Sequence, residues 1–188
     1  MSLRVTGISP ARQAADKSGD YIVLSLTFVP PDTRMDPVYF FAADSRGPEY
    51  GYIELKADGY QGMVYEIIVV NVPLAPGPIP DAGPEEPGLV RLDLSERPGQ
   101  STDFLAMETI DLRMPLSVGL DGERVHFSLG NHEVARWVVS GPVAFAVTED
   151  DLLAGFRVDD ASGGLGKRVI AEQERRRVVL AKKEGRSE

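Results

Sequence analysis

The chain has 188 residues, of which 43% are hydrophobic and 26% charged, a balance that excludes a wholly disordered protein. It contains no cysteine, so disulfides, thiolate nucleophiles and cysteine-based zinc sites are excluded. Residues 163–188 carry eight Lys or Arg against four Asp or Glu, a net charge of +4, whereas the rest carries 12 against 25, a net charge of −13. An acidic body repels nucleic acid and favours a basic partner.

The N-terminal residues hold no apolar stretch of signal-peptide length, and no later run reaches the roughly 18 apolar residues of a membrane span. We therefore expect no membrane partner, and a location in the cytoplasm or in a virion.

Short β-strands are predicted along the first part of the chain, because β-branched and aromatic residues are concentrated there. The predicted strands cover residues 21–29, 38–41, 52–56 and 63–72. The last of these contains Ile67-Ile68-Val69-Val70, a block that predicts burial on both faces at the centre of a sheet.

A proline-rich segment, residues 73–88, interrupts the strands with six prolines and three glycines. This composition excludes a helix or a central strand and favours an extended, polyproline-like excursion.

Strands resume after the proline-rich segment and end in a helical pattern. Strands are predicted over residues 89–94, 108–113, 117–118, 125–127, 134–139 and 143–147. Asp121-Gly122 marks a hairpin turn, because this dipeptide adopts positive φ readily. Thr148 with Asp151 resembles a capping box and predicts a short helix over residues 148–156.

The predicted fold is mainly β: an antiparallel β-sandwich or barrel with one short helix and a C-terminal basic helix. Residues 1–160 form the predicted domain, and residues 161–188 form a hinge and a basic helical arm. The hinge is placed at Gly163–Gly166 and the helix at residues 167–183. Because no continuous apolar stripe runs along this helix, we expect it to stand away from the core.

The only stretch that combines both histidines with a serine and a carboxylate is residues 125–133. On a strand, His126 and Ser128 share one face, but His126 occupies the position of the first glycine of a nucleophile elbow. We interpret the stretch as a polar strand face and turn, and expect no catalytic residues and no enzyme activity.

Metal and cofactor motifs are incomplete. Arg136 stands where a second zinc-binding histidine would follow His132, and residues 149–151 lack the ligand spacing of a calcium loop. Residues 163–167 lack the first glycine and the hydroxyl residue of a phosphate loop. We expect no metal and no cofactor. The tyrosines at positions 50, 52, 60 and 65 suit either cross-strand packing or a flat ligand surface.

The C-terminal helix combines charge with apolar surface, which favours protein binding. The predicted protein-binding residues are Arg175, Arg176, Arg177, Val178, Val179 and Leu180. The first hypothesis is a non-enzymatic assembly subunit that binds copies of itself or other subunits through this arm and its loops, as in the head, neck or tail of a phage particle. The alternatives are an acidic immunity-type protein that neutralises a basic toxin, and a serine-dependent hydrolase using Ser128 with His126 or His132.

Overall fold

The computed structural model describes residues 3–19, 21–29, 36–95, 108–122, 124–160 and 164–184. In the first half of this described part the strands are β1 (Val5–Ser9), β2 (Ala15–Asp16), β3 (Leu24–Thr27), β4 (Pro37–Asp44), β5 (Tyr52–Asp58), β6 (Val64–Asn71), β7 (Ala75–Pro76) and β8 (Glu85–Pro87). The second half has β9 (Leu89–Leu92), β10 (Glu108–Met114), β11 (Leu116–Asp121), β12 (Arg124–Leu129), β13 (Arg136–Ser140), β14 (Val143–Val147) and β15 (Leu153–Asp159). A 3-10 helix covers Pro48–Tyr50, and helix α1 covers Gly164–Glu184.

The strands form three sheets. Sheet I has the order β10-β4-β5-β6-β3-β2, sheet II the order β7-β11-β12-β15-β14-β13-β8, and sheet III pairs β1 with β9. Neither large sheet closes on itself among the described residues, and the two pack as a sandwich. The mainly β fold is confirmed, and of the two predicted architectures the sandwich is the one found.

One apolar core lies between the large sheets and includes side chains from all three. Phe40 and Ile53 come from sheet I, Leu92 from sheet III, and Phe127 and Phe156 from sheet II. The rings of Phe127 and Phe156 stack with centroids 5.0 Å apart. Removing these side chains from water is the main favourable contribution to the sandwich.

Pairing is antiparallel except for three parallel pairs: β10 with β4, β7 with β11, and β8 with β13. The predicted hairpin is confirmed, since β11 and β12 pair around Gly122, whose φ is 54°. The two strands of each parallel pair lie roughly 40 or more residues apart in the sequence, and strand alternation by itself does not encode direction.

The short helix predicted over residues 148–156 is wrong. Residues 149–151 form a turn, and β15 begins at Leu153 and pairs with both β12 and β14. The helical interpretation failed because β15 lies inside sheet II with both faces covered, and a short apolar run of this kind has no period that separates strand from helix.

Strand β6 lies in the interior of sheet I, as predicted, but burial on both faces is wrong. Ile67 and Val69 point into the core, whereas Val70 is exposed. The outer face of β6 is therefore partly open to solvent.

The proline-rich segment contributes the two edge strands of sheet II, β7 at one edge and β8 at the other. The residues between them, 77–84, are called the strap here. Prolines suit edge strands, because a proline has no backbone N–H to donate and an edge strand has a neighbouring strand on one side only.

Helix α1 begins at Gly164, so most of the predicted glycine hinge is helical, and residues 161–163 lie outside the described part of the chain. Leu165 and Val169 belong to the sandwich core, so the expectation that the helix stands away from it is wrong. Among the described residues, no helix has a long enough apolar run to cross a membrane.

Candidate functional site

The first half of helix α1 is anchored to the β-sandwich. Leu165 and Val169 are buried in the core, and one turn later Gln173 is also buried. The Gln173 Nε2 donates a 2.6 Å hydrogen bond to the carbonyl oxygen of Pro73. The helix thus contacts the body first through apolar side chains and, one turn later, through a polar one.

Two of the three consecutive arginines continue this anchoring. Arg176 donates to Asn71 Oδ1 and to the carbonyl oxygen of Glu49, and burial lowers the pKa of its guanidinium. Arg177 donates to the carbonyl oxygen of Leu74 at 3.3 Å, although its side chain remains exposed. Arg176 therefore belongs to the contact between the helix and its own body.

The opposite side of the helix is open. Nine residues are two and a half turns at about 3.6 residues per turn, so Val178 lies opposite the buried Val169. Val178 is 54% exposed, Ile170 45% and Val179 43%. Arg175 is exposed beside them, and its only partner among the described residues is Glu172 of the same helix, at 2.6 Å. Charge and apolar surface are thus presented together.

The structure divides the predicted protein-binding residues between the open side and the contact with the body. The open side has Arg175, Val178 and Val179. Arg176 and Leu180 are half-buried, and the exposed Arg177 lies at the edge of the contact with the body, where it donates to Leu74.

The serine and histidine weighed as a catalytic pair do lie together on the outer face of sheet II. Ser128 Oγ is 3.3 Å from His126 Nδ1, and both side chains are buried. The other ring nitrogen, Nε2, has no hydrogen-bond partner in the described part of the chain, so the carboxylate that orients a catalytic histidine is not found there. His132, the alternative base, is exposed in the turn after β12.

His126 is a neutral, buried histidine. Burial lowers its pKa from 6.5 to about 4, and the positive charge of Arg157 acts in the same direction. The carbonyl of Pro78 in the strap opposes this shift, yet it does not meet hydrogen-bonding geometry with Nε2. At neutral pH the imidazole is therefore uncharged, with a single N–H, and its ring is buried from solvent.

Trp137 completes this cluster. It is buried at 1% exposure, but in a second, smaller apolar cluster on the outer face of sheet II. The His126 ring meets it edge-on with centroids 5.7 Å apart, and the Arg157 guanidinium lies over it at 4.8 Å. The other buried members of this cluster have small side chains: Ala144, Ala146 and Ala154.

Two ion pairs join β8, at the end of the proline-rich segment, to other strands of sheet II. Arg157 contacts Glu85 at 3.2 Å, and Arg136 contacts Glu86 at 3.1 Å. Arg136 also contacts Asp151 at 2.7 Å. The sequence did not predict these ion pairs, because β8 was not predicted and the first part of β15 was predicted as a helix. The available signal was Arg157, a lone charge inside an otherwise apolar run.

Metal ligation finds no support among the described residues, where no group of three His, Asp or Glu side chains converges. The four tyrosines considered as a ligand surface are dispersed. Tyr52 packs against Phe41 with centroids 5.8 Å apart, whereas Tyr60 is largely exposed and its hydroxyl donates to Asp36. They form cross-strand and loop contacts instead of one platform.

No protein-family model and no curated protein matches this chain. Its function is therefore inferred from its own residues.

Proposed function

We propose that the protein is a non-enzymatic subunit of a protein assembly, and that the open side of helix α1 binds a neighbouring chain. The observation that carries this proposal is the pairing of exposed Val178 and Val179 with exposed Arg175 on a helix that is otherwise anchored. Interfaces favour arginine next to apolar side chains.

Anchoring supports this proposal because it reduces the entropy cost of binding. Leu165, Val169 and Gln173 hold the helix before any partner arrives, so the open side is already ordered. A flexible tail would lose that conformational freedom on association.

Charge suggests which partner fits. The residues before 163 carry a net −13 and the last 26 residues a net +4, so the open side of one copy complements the body of the next. Such a contact joins two different surfaces, and repeated contacts of this kind form rings or filaments, as in the head, neck or tail of a phage particle.

The test compares the association state of four full-length proteins by sedimentation velocity and light scattering over a range of concentrations. Val178→Gln with Val179→Gln removes apolar surface, and Arg175→Glu with Lys182→Glu reverses the charge of two exposed residues two turns apart on the same side. Both double variants are expected to shift the wild-type oligomer toward monomer. The matched control is Val70→Gln, the same valine-to-glutamine change at a valine that is 37% exposed on β6.

A wild-type chain that stays monomeric throughout, or an oligomer that both double variants leave intact, would contradict self-assembly through this helix. Tight binding of a cationic protein by both double variants would instead favour the acidic immunity-type alternative, because that function uses the body.

A further inference from the structure

The strap crosses the outer face of sheet II and is attached mainly through its backbone. The Gly77 amide donates to the Val118 carbonyl at 2.9 Å, and the Trp137 amide donates to the Pro84 carbonyl at 2.8 Å. Between these points the strap passes over Gly119, where a Cβ would stand 2.6 Å from the Pro78 carbonyl oxygen. A glycine is therefore required beneath the strap for this close approach.

The strap buries little of its own side-chain surface. Only Ile79 and Pro80 are half-buried among its larger side chains, whereas Pro78, Asp81 and Pro84 are exposed. Segments with few buried apolar contacts open at a low free-energy cost compared with the core. The strap is thus one of the parts of the sandwich that is easiest to displace.

The surface under the strap has the features of a site for extended, proline-rich peptides. Trp137 packs with three alanines and has the Arg157 guanidinium over its ring, and aromatic-lined grooves are the usual receptors for such peptides. Trp137 Nε1 and His126 Nε2 are buried there with no hydrogen-bond partner among the described residues. The strap therefore leaves hydrogen-bonding capacity of this surface unused.

The flanking charges define the ligand further. Arg157 and Arg136 pair with Glu85 and Glu86, which follow the prolines of the strap directly. A ligand with prolines followed by two acidic residues would satisfy the same two arginines.

We propose that this face of sheet II is a binding site for a proline-rich, acidic segment of another protein, and that the strap occupies it in the resting molecule. The strap acts as an intramolecular competitor. The apparent affinity for an external segment is the intrinsic affinity reduced by the fraction of molecules in which the strap is displaced. This site is separate from helix α1 and does not depend on the function proposed for it.

The test uses the full-length chain and a synthetic peptide with the sequence of residues 73–88. Trp137 is the only tryptophan, so its emission and acrylamide quenching report directly on the site. Gly119→Ala places a methyl group against the strap backbone and should displace it. Gly83→Ala is the matched control, because a Cβ there meets only ordinary contacts, at 3.5 Å or more.

We expect Gly119→Ala to expose Trp137 and to bind the peptide at least about tenfold more tightly than the wild type or Gly83→Ala, as removal of an internal competitor requires. A peptide in which both glutamates are replaced by glutamine should bind more weakly. Addition of the unmodified peptide should protect Trp137 again.

Equal binding of a scrambled peptide, or an exposed Trp137 with no gain in peptide affinity, would overturn the proposal. If Gly119→Ala does not fold, Glu85→Ala with Glu86→Ala weakens the attachment of the strap from its other end and is held to the same outcomes. If either variant forms dimers with Trp137 protected, a second copy supplies the segment, which overturns the assignment to a different protein.

Discussion

The strap and helix α1 both pack onto the sandwich, but they differ in what they leave exposed. The strap covers polar and aromatic residues, whereas the helix presents charged and apolar residues to solvent. The strap lies against His126 and Trp137, and both side chains are buried. The helix covers its body with Gln173 and Arg176 and leaves Arg175 and Val178 outside. Residue types alone therefore do not identify a binding surface. A surface is available to a partner only where no segment of the chain itself already covers it.

The largest expected effect concerns Trp137. Trp137→Ala should lower the free energy of unfolding by about 3–5 kcal/mol, because a large buried ring leaves a cavity under the strap. Urea denaturation followed by far-UV circular dichroism measures this change. A loss below about 1 kcal/mol would mean that the strap does not bury the ring in solution.

The second effect is the pH dependence of stability at His126. Its folded-state pKa of about 4 lies below the unfolded value of 6.5. Between these values the unfolded chain binds more protons, so the free energy of unfolding should fall as the pH is lowered through this window. The full difference corresponds to about 3 kcal/mol.

Protonation of carboxylates also changes the free energy of unfolding as the pH falls, so the contribution of His126 has to be isolated by replacing it. His126→Gln should flatten the profile between pH 6.5 and about 4 relative to the wild type, as judged from urea midpoints at each pH. His132→Gln, at an exposed histidine, is the control and should follow the wild type. Parallel profiles for wild type and His126→Gln would show that the ring is not buried.

The third prediction separates two neighbouring arginines. Arg176→Ala should cost about 1–2 kcal/mol, because it leaves the Asn71 side chain and the Glu49 carbonyl without their donor. Arg175→Ala removes only an exposed pair within the helix and should cause no measurable loss. Equal losses of thermal stability in the two variants would contradict the difference between Arg176, which contacts the body, and Arg175, which is exposed.

The smallest expected effect on stability is at the open side of the helix. Val178→Gln with Val179→Gln should change the free energy of unfolding by no more than about 0.5 kcal/mol, because both side chains are exposed. Association should nevertheless weaken in the same samples. A stability loss comparable to that of Arg176→Ala would place these valines in a contact with their own body.

Much of the β architecture could be predicted because period-two alternation and turn residues act locally. The strands near Tyr52, Glu108 and Val143 were located from such patterns, and the hairpin at Gly122 from its positive φ requirement. The edge strands of the proline-rich segment were not predicted, since two- and three-residue strands exist only where a neighbouring edge is available to pair with them.

The sites were less accessible to sequence reasoning. The contact between His126 and Ser128 follows from their spacing on one strand, and it was predicted as a shared face. The pairing of Arg157 with Glu85 beside Trp137 could not be predicted, because β15 and β8 bring these residues together from distant parts of the chain.

By itself, the sequence determined the mainly β class, the helical character of residues 167–183 and the opposite charges of body and tail, since each depends on composition or on neighbours a few positions apart. Only the tertiary structure decided that the helix docks through Gln173 and Arg176 and that the proline-rich segment covers Trp137. The physical reason is that these contacts join polar side chains to backbone carbonyls and apolar rings to strand faces about 50 to 100 residues away, and no local period encodes such pairs.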